Sequence, residues 1–277
     1  MLKKLIKHEW RSVWKVPGAV NLFLLLYTLV GTLSFHSSIW ESDNKIIEAL
    51  LLFASVFYII SIIVISFTVL IYLTVRFYRN FYTDEGYLMH TLPVSQKSLI
   101  FSKLLVAFIW IVITGIVIFI SVFSVVVTLL SIQENITFSE IWDTLTMFFS
   151  KEYTVQFKRT FGISTLHGLL LGLAMAIINI IQSILMIYAA ISVGQMFQKH
   201  KVLGSFLGYI VIHTILQLLN SVLLVPAMFS MRFDSTMADA AKTMLPYYYF
   251  MLGEGIILCI AFFFMTEYFM KKKLNLD

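Results

Sequence analysis

The chain alternates between long apolar runs and short segments that hold nearly all of its charges. Five runs lack Asp, Glu, Lys and Arg, and each exceeds the about 20 residues that a helix needs to cross the hydrocarbon layer. They are Val16 to Trp40, Ala49 to Val75, Leu104 to Gln133, Thr160 to Gln198 and Val202 to Met231. A sixth run, Tyr249 to Met270, is apolar except for Glu254 and Glu267. Because none alternates like the strands of a membrane barrel, the pattern predicts an all-α integral membrane protein with six transmembrane helices.

The fourth run is long enough to hold two short spans instead of one. Its first residues include Gly162, Ser164 and His167, which favour an interfacial segment over a second helix. A seventh span would also place Lys271 to Lys273 opposite the basic N-terminus, against the positive-inside rule. Six spans are therefore the prediction.

Charge predicts the orientation of the six spans. Fourteen of the 20 Lys and Arg residues fall on the side shared by both termini, which predicts a multi-pass membrane protein with cytoplasmic termini. The net charge of +5 is explained by this orientation and by attraction to anionic lipid of the bilayer, so no nucleic-acid partner is expected. A cleaved signal peptide is the alternative for the first 35 residues, but no A-x-A-like site follows.

The first 15 residues form a separate amphipathic pattern. Leu2, Leu5, Ile6, Trp10, Val13 and Trp14 recur at helical spacing, whereas Lys3, Lys4, Lys7, Arg11 and Lys15 occupy the other face. The pattern predicts an interfacial helix over residues 1–15, which Pro17 ends before the chain enters the bilayer. This helix either anchors the protein or has a mechanical role, and the pattern does not choose between the two.

Residues 76–103 form a polar elbow between the second and third spans, on the cytoplasmic side of the predicted topology. Thr83 can cap a short helix whose first turn holds Asp84 and Glu85, Pro93 ends that helix, and Ser95 can cap the next one. A connection that only reverses the chain needs far fewer residues. The elbow is therefore either a capped interfacial loop or a surface that another protein contacts.

The order of residues in the elbow resembles the first cytoplasmic loop of permease subunits of bacterial ATP-binding-cassette exporters of the type-two export branch. The resemblance is carried by Thr83-Asp84-Glu85-Gly86-Tyr87-Leu88, by Thr91-Leu92-Pro93-Val94-Ser95 and by Ser102-Lys103. In that family an acidic-glycine-aromatic-leucine step precedes a Leu-Pro turn, a hydroxyl residue and a lysine. The family also has an amphipathic N-terminal helix, six spans and cytoplasmic termini, so the whole of 1–277 resembles a single permease domain in layout.

The resemblance implies that residues 84–95 form a cytoplasmic coupling helix that docks on a separate ATPase subunit, which would bind ATP and Mg. Asp84, Glu85 and Gly86 match the family step, and Tyr87 and Pro93 complete the set of coupling residues. It further implies a second permease copy or paralogue as a dimer partner, and a location in a bacterial cell membrane. Residues 226–246 resemble the short re-entrant or surface element that precedes the last span in this family.

Motifs for chemistry within this chain are missing from the sequence. There is no G-x-x-x-x-G-K-[ST], no H-E-x-x-H and no G-x-S-x-G, and the six histidines are scattered. The single cysteine, Cys259, cannot form an internal disulfide. We therefore expect no enzyme activity, no metal site and no cofactor in this chain itself.

Polar and small residues inside the spans are the remaining candidates for function, because each polar group is costly in hydrocarbon. Gly168, Gly172, Asn179 and Gln182 share one stripe of the fourth span, which favours helix packing with the amides as interhelical bonds. Gly204 and Gly208 lie on one face of the fifth span, with His213, Gln217 and Asn220 roughly opposite. These three, with Glu254 near the outer mouth, are a candidate substrate pathway, and satisfied hydrogen bonds between helices are the alternative.

The predicted outer segments contain no folded domain. The longest, about residues 132–161, is expected to form a short surface helix with Trp142, Phe148 and Phe149 at the interface. Entry of a substrate from the cytoplasm or inner leaflet is therefore expected. The sequence favours an exporter of a hydrophobic or amphipathic peptide, and the alternative is a membrane sensor or immunity protein that binds such a peptide or a partner without transport.

Overall fold

The computed structural model describes residues 2–35, 45–83, 86, 93–133, 137–197, 199–230 and 237–272. Regular secondary structure in these residues is entirely helical, as the apolar runs predict. The nine helices within them are α1 (Leu2–Val13), α2 (Lys15–Phe35), α3 (Lys45–Tyr82), α4 (Gln96–Gln133), α5 (Phe138–Met147), α6 (Lys151–Phe161), α7 (Thr165–Gly194), α8 (Lys201–Ser230) and α9 (Met237–Lys272).

Six of these helices are long and apolar enough to cross a membrane, which confirms the predicted number of spans. They are α2, α3, α4, α7, α8 and α9. The long fourth run forms the single helix α7, because Ser164 caps its start by accepting the His167 N–H at 3.2 Å. The residues before that cap belong to α6, which ends at Gly162 in the left-handed conformation, φ 75°.

The helices α3 and α4 run well beyond the apolar stretches that predict them. Each has 38 residues, a length of about 57 Å, against about 30 Å of hydrocarbon. Both flanks of the elbow are therefore helical, since α3 ends at Tyr82 and α4 begins at Gln96. Most of the predicted coupling helix, 84–95, lies outside the described residues, which include only Gly86 and residues 93–95 of it.

Two expectations about the connecting segments differ from the structure. The segment expected to hold one surface helix holds two, α5 and α6, because Ser150 caps a new helix by accepting the Tyr153 N–H at 3.2 Å. Of the element expected between 226 and 246, residues 226–230 belong to α8 and residues 237–246 belong to α9, which passes through Pro246, while 231–236 lie outside the described residues. The last span therefore starts earlier than Tyr249.

Helix α1 has the two faces that its sequence predicts. Its basic residues Lys3, Lys4, Lys7 and Arg11 are exposed, whereas Val13 is buried. Trp10 stacks on Trp110 of α4 with 5.0 Å between the ring centroids. The break after α1 falls at Trp14, and Pro17 lies in the first turn of α2, where its missing N–H has no helical acceptor to lose.

The chain divides into two compact units, with one boundary inside α3 and another inside α4. The first unit comprises Met1–Arg76 and Leu105–Leu145, and the second comprises Phe77–Leu104 and Thr146–Asp277. Polar side chains join the spans of the first unit, where Asn21 donates to Thr114 at 3.1 Å. The second unit contains the flanks of the elbow together with α7, α8 and α9, and the candidate sites lie there.

Candidate functional site

The last turns of α3, before the elbow loop, are fixed to the end of α7. The ring of Phe77 stacks on Tyr188 with centroids 3.6 Å apart and planes 6° from parallel. The hydroxyl of Tyr82 shares a hydrogen bond of 2.7 Å with the hydroxyl of Ser192. All four side chains are buried. The residues that enter the loop are therefore held on one face of the fourth span.

The first turns of α4, after the elbow loop, are fixed to α9 and to α3. Lys97 Nζ lies 3.8 Å from a carboxylate oxygen of Glu267 and 5.3 Å from the ring centroid of Phe264. Glu267 is only 5% exposed, and Lys271 of the next turn is its second ion-pair partner. Lys103 is buried and lies 5.3 Å over the ring of Phe81, so it connects the two flanks of the loop.

Gly86 lies against the chain's own backbone. Its N–H donates to the carbonyl of Thr83 at 2.7 Å, and a Cβ on Gly86 would lie 2.5 Å from the carbonyl oxygen of Phe81. A side chain at position 86 would therefore collide with the backbone at the end of α3, whatever partner the elbow contacts. Pro93 is exposed, and Asp84, Glu85 and Tyr87 lie outside the described residues.

The glycines of the fourth and fifth spans occupy three different environments. At Gly204 a Cβ would lie 2.4 Å from the ring of Phe197, and at Gly208 it would lie 3.4 Å from the carbonyl oxygen of Ala190, so both face α7 and the turn that follows it. Gly168 lies against Phe157 of α6, where a Cβ would be 3.0 Å from the ring. Gly172 has open space around it.

A second glycine contact between α7 and α8 was not predicted. A Cβ on Gly194 would lie 2.3 Å from the backbone nitrogen of Ser205 and 2.1 Å from its Oγ. The signal available in the sequence was a glycine at the end of an apolar run, followed by another glycine early in the next run. Such a pair of glycines indicates a close crossing of the two helices only when the turn between the helices is known to be short.

Four polar residues from three helices surround a small cavity in the second unit. They are Asn179 and Gln182 of α7, Asn220 of α8 and Glu254 of α9, and apolar side chains line the rest, with Gly255 beside them. The cavity has a volume of about 50 Å³. The structure thus combines two residues predicted to pack with two predicted to form a pathway.

The other two predicted pathway residues point elsewhere. His213 and Gln217 are exposed, and His213 stacks on Tyr209 of its own helix with centroids 5.8 Å apart. Neither residue lines the cavity. A helical wheel correctly groups residues on one helix, but it does not say which neighbouring helix each face meets.

Glu254 and Asn179 both lie well inside their helices. Glu254 is about 18 Å of helix after the start of its span at Lys242 and about 26 Å before its end at Lys271. Asn179 is near the midpoint of α7, about 21 Å from Thr165. The position of Glu254 near the outer mouth stays a prediction.

The described residues contain no group of three or more His, Cys, Asp and Glu side chains that could hold a metal ion. No protein-family model, curated protein or solved structure matches the chain. A function must therefore be inferred from the residues of this chain, which offer two places to consider: the elbow with its fixed flanks and the polar cavity.

Proposed function

We propose that the chain is the membrane-spanning permease subunit of an ATP-driven exporter, with residues 84–95 docking on a separate ATPase. The observation that carries this proposal is the fixation of both flanks of the elbow to the fourth and sixth spans. A loop that only connects two spans does not need buried stacking, a buried hydroxyl pair and a buried carboxylate beside it. The resemblance of residues 83–103 to the coupling loop of such permeases points to the same function.

The contacts of the flanks define how a movement of the loop would reach the spans. A displacement at Tyr82 acts on α7 through Ser192 and through the stacked rings of Phe77 and Tyr188. A displacement at Lys97 acts on α9 through Glu267. Because these contacts are buried or charged, sliding one flank without its neighbour would separate a close-packed ring pair or an ion pair.

The proposed partners follow from the same layout. ATP and Mg belong to the ATPase, since the sequence has no phosphate-binding loop. A second permease copy or paralogue would cover the spans that the chain leaves open, and α8 is the leading candidate because only 6% of its span is buried. The proposed cargo is a hydrophobic or amphipathic peptide or a similar substrate.

Glu85→Lys is expected to abolish copurification of the ATPase while leaving the protein at normal abundance in the membrane. A reversed charge at a partly desolvated contact costs a few kcal/mol, roughly a hundredfold or more in affinity. The protein would be purified by affinity from membranes of its native host, and P-loop ATPases would be identified by mass spectrometry. Glu152→Lys is the matched control, because Glu152 is an exposed acidic residue in the first turn of α6.

An ATPase retained equally by Glu85→Lys and Glu152→Lys would remove Glu85 from the docking surface. Purification of the wild-type protein with no ATPase, but with a bound peptide or another membrane protein, would favour the alternative function of a sensor or immunity protein. Gly86 is unsuited to this test, because any side chain there would meet the backbone of Phe81.

We also expect residues 80–98 to be cytoplasmic and residues 134–158 to be outside, as export by a cytoplasmic ATPase requires. Single cysteines would be placed at Ser95 and Ser139, both exposed, in a Cys259→Ala background. An impermeant thiol reagent applied to intact cells should label position 139 and spare position 95 until the cells are opened. The reverse pattern would overturn the orientation and, with it, the docking of the elbow on a cytoplasmic ATPase.

A further inference from the structure

Two lysines meet over one buried carboxylate where α4 begins and α9 ends. Lys97 Nζ lies 3.8 Å from one carboxylate oxygen of Glu267, and Lys271 Nζ forms an ion pair with the other oxygen. The side chain of Glu267 is 6% exposed, whereas those of Lys97 and Lys271 are 57% and 55% exposed. The three side chains together carry one excess positive charge, and the exposed part of the cluster is the positive part.

The two lysines can donate to a further acceptor while they stay paired with Glu267. Each ammonium group has three N–H donors. Lys97 is paired with Glu267 by charge at a distance too long for a hydrogen bond, and Lys271 donates one hydrogen bond to it. Because both ammonium groups contact one carboxylate, a single phosphate, whose oxygens can join donors about 8 Å apart, can accept from both of them.

Aromatic side chains follow the lysines along both helices. Phe101 lies one turn after Lys97 in α4, and Phe264 and Tyr268 lie on the face of α9 that carries Lys271. All three rings are exposed. Lys97 Nζ lies 5.3 Å from the ring centroid of Phe264, so the cationic and aromatic parts are adjacent. The surface is therefore positive at the helix ends and apolar further along the spans.

An anionic phospholipid has both of the properties that this surface matches. The apolar segment of α4 begins at Gln96 and that of α9 ends at Lys271, so both lysines lie at the level where a bilayer has its headgroups. Basic pockets between spans are a general feature of sites for anionic headgroups. A free phosphate would contact the lysines alone, and a zwitterionic lipid would bring an ammonium group of its own next to them.

We propose that Lys97 and Lys271 bind the phosphate of an anionic phospholipid, whose acyl chains lie along the three aromatic rings. Glu267 is a positioning residue, since it holds both ammonium groups beside one another. The bound lipid would cover the junction between the start of α4 and the end of α9. This site goes beyond the exporter proposal and stands without it, because lipid binding requires neither an ATPase nor a second permease copy.

Phosphatidylglycerol is the probe for the test, and phosphatidylcholine is the neutral comparison. Each lipid would be titrated onto the full-length protein in mild detergent, and lipid-bound protein would be counted by native mass spectrometry. Phosphatidylglycerol should bind about tenfold more tightly than phosphatidylcholine. Lys97→Gln and Lys271→Gln should each weaken its binding about fivefold, because one lysine at an anionic surface contributes about 1 kcal/mol. Each variant leaves one cation beside Glu267, so neither exposes an unpaired buried carboxylate.

Lys199→Gln is the matched control, because Lys199 is an exposed lysine outside the cluster, and it should change the affinity less than about twofold. Lys97→Arg should retain binding, since it keeps the charge and the donors. Glycerol phosphate, which lacks acyl chains, should not displace the lipid at equal concentration. Equal affinities for the two lipids, equal effects of Lys97→Gln and Lys199→Gln, or displacement by glycerol phosphate would each overturn the proposal.

Discussion

Gly194→Ala is expected to destabilise the protein by about 3 kcal/mol or more, and to lower its abundance in the membrane accordingly. The added methyl group would lie 2.3 Å from the backbone nitrogen of Ser205 and 2.5 Å from its Cα, so the start of α8 would have to move away from the end of α7. Backbone atoms cannot be relieved by a change of rotamer. The loss would be measured as a shift in the unfolding transition in mixed micelles, alongside quantitative immunoblots of membranes.

Gly172→Ala is the matched control for this prediction. It makes the same change in the same helix, but a Cβ at Gly172 would meet no atom within 4 Å. Since alanine favours helix over glycine by about 1 kcal/mol, the control should be neutral or slightly stabilising. Equal effects of the two substitutions would show that the crossing of α7 and α8 tolerates a side chain, contrary to the geometry.

Arg76→Ala is expected to release α1 from α3, with about 30-fold faster hydrogen exchange over residues 2–13. Arg76 Nε donates to a carboxylate oxygen of Glu9 at 2.9 Å, and its Nη2 donates to Ser12. The Glu9 side chain is 7% exposed and that of Arg76 is 21% exposed, so removing the guanidinium withdraws the cation from a nearly buried carboxylate. A loss of about 2 kcal/mol corresponds to the 30-fold change.

Arg11→Ala removes a cation from the exposed face of α1 and should change the exchange less than about threefold. The double variant Glu9→Gln with Arg76→Gln removes both charges together, and should exchange more slowly than Arg76→Ala, because no carboxylate is left buried. Unchanged protection of α1 in Arg76→Ala would show that the stacking of Trp10 on Trp110 suffices to hold the helix.

The transmembrane architecture could be predicted from the sequence because one physical quantity, the length of uncharged apolar chain, decides it. Each run longer than about 20 residues became one helix, including the ambiguous fourth run. The faces of α1 could be predicted for a similar reason, since an interfacial helix separates its charges from its apolar side. Helix ends were less predictable, because capping at Ser150 and continuation through Pro246 depend on local backbone geometry.

The cavity and the fixed flanks could not be predicted, because both depend on which helices are neighbours. The sequence assigns Asn179 and Gln182 to helix packing, because it shows only their positions on their own helix. It does not show that Glu254 of α9 lies beside them. Glu267 was noted near the end of the last span, yet its partner Lys97 is far away in sequence. The acidic residues of the elbow, Asp84 and Glu85, remain a prediction from the resemblance.

The distribution of buried residues along α7 has a mechanical consequence. Every buried residue of this 30-residue helix lies in the stretch from Ile184 to Gly194. The preceding stretch, about 29 Å long, presents several large exposed side chains, including Leu166, Leu170 and Leu173. The first half is held by fewer buried contacts than the second, so a change in bilayer thickness or lateral pressure is expected to be absorbed mainly by tilt of the first half. The buried end, which carries Tyr188 and Ser192, is expected to keep its contacts with the last turns of α3 while the lipid around the helix changes.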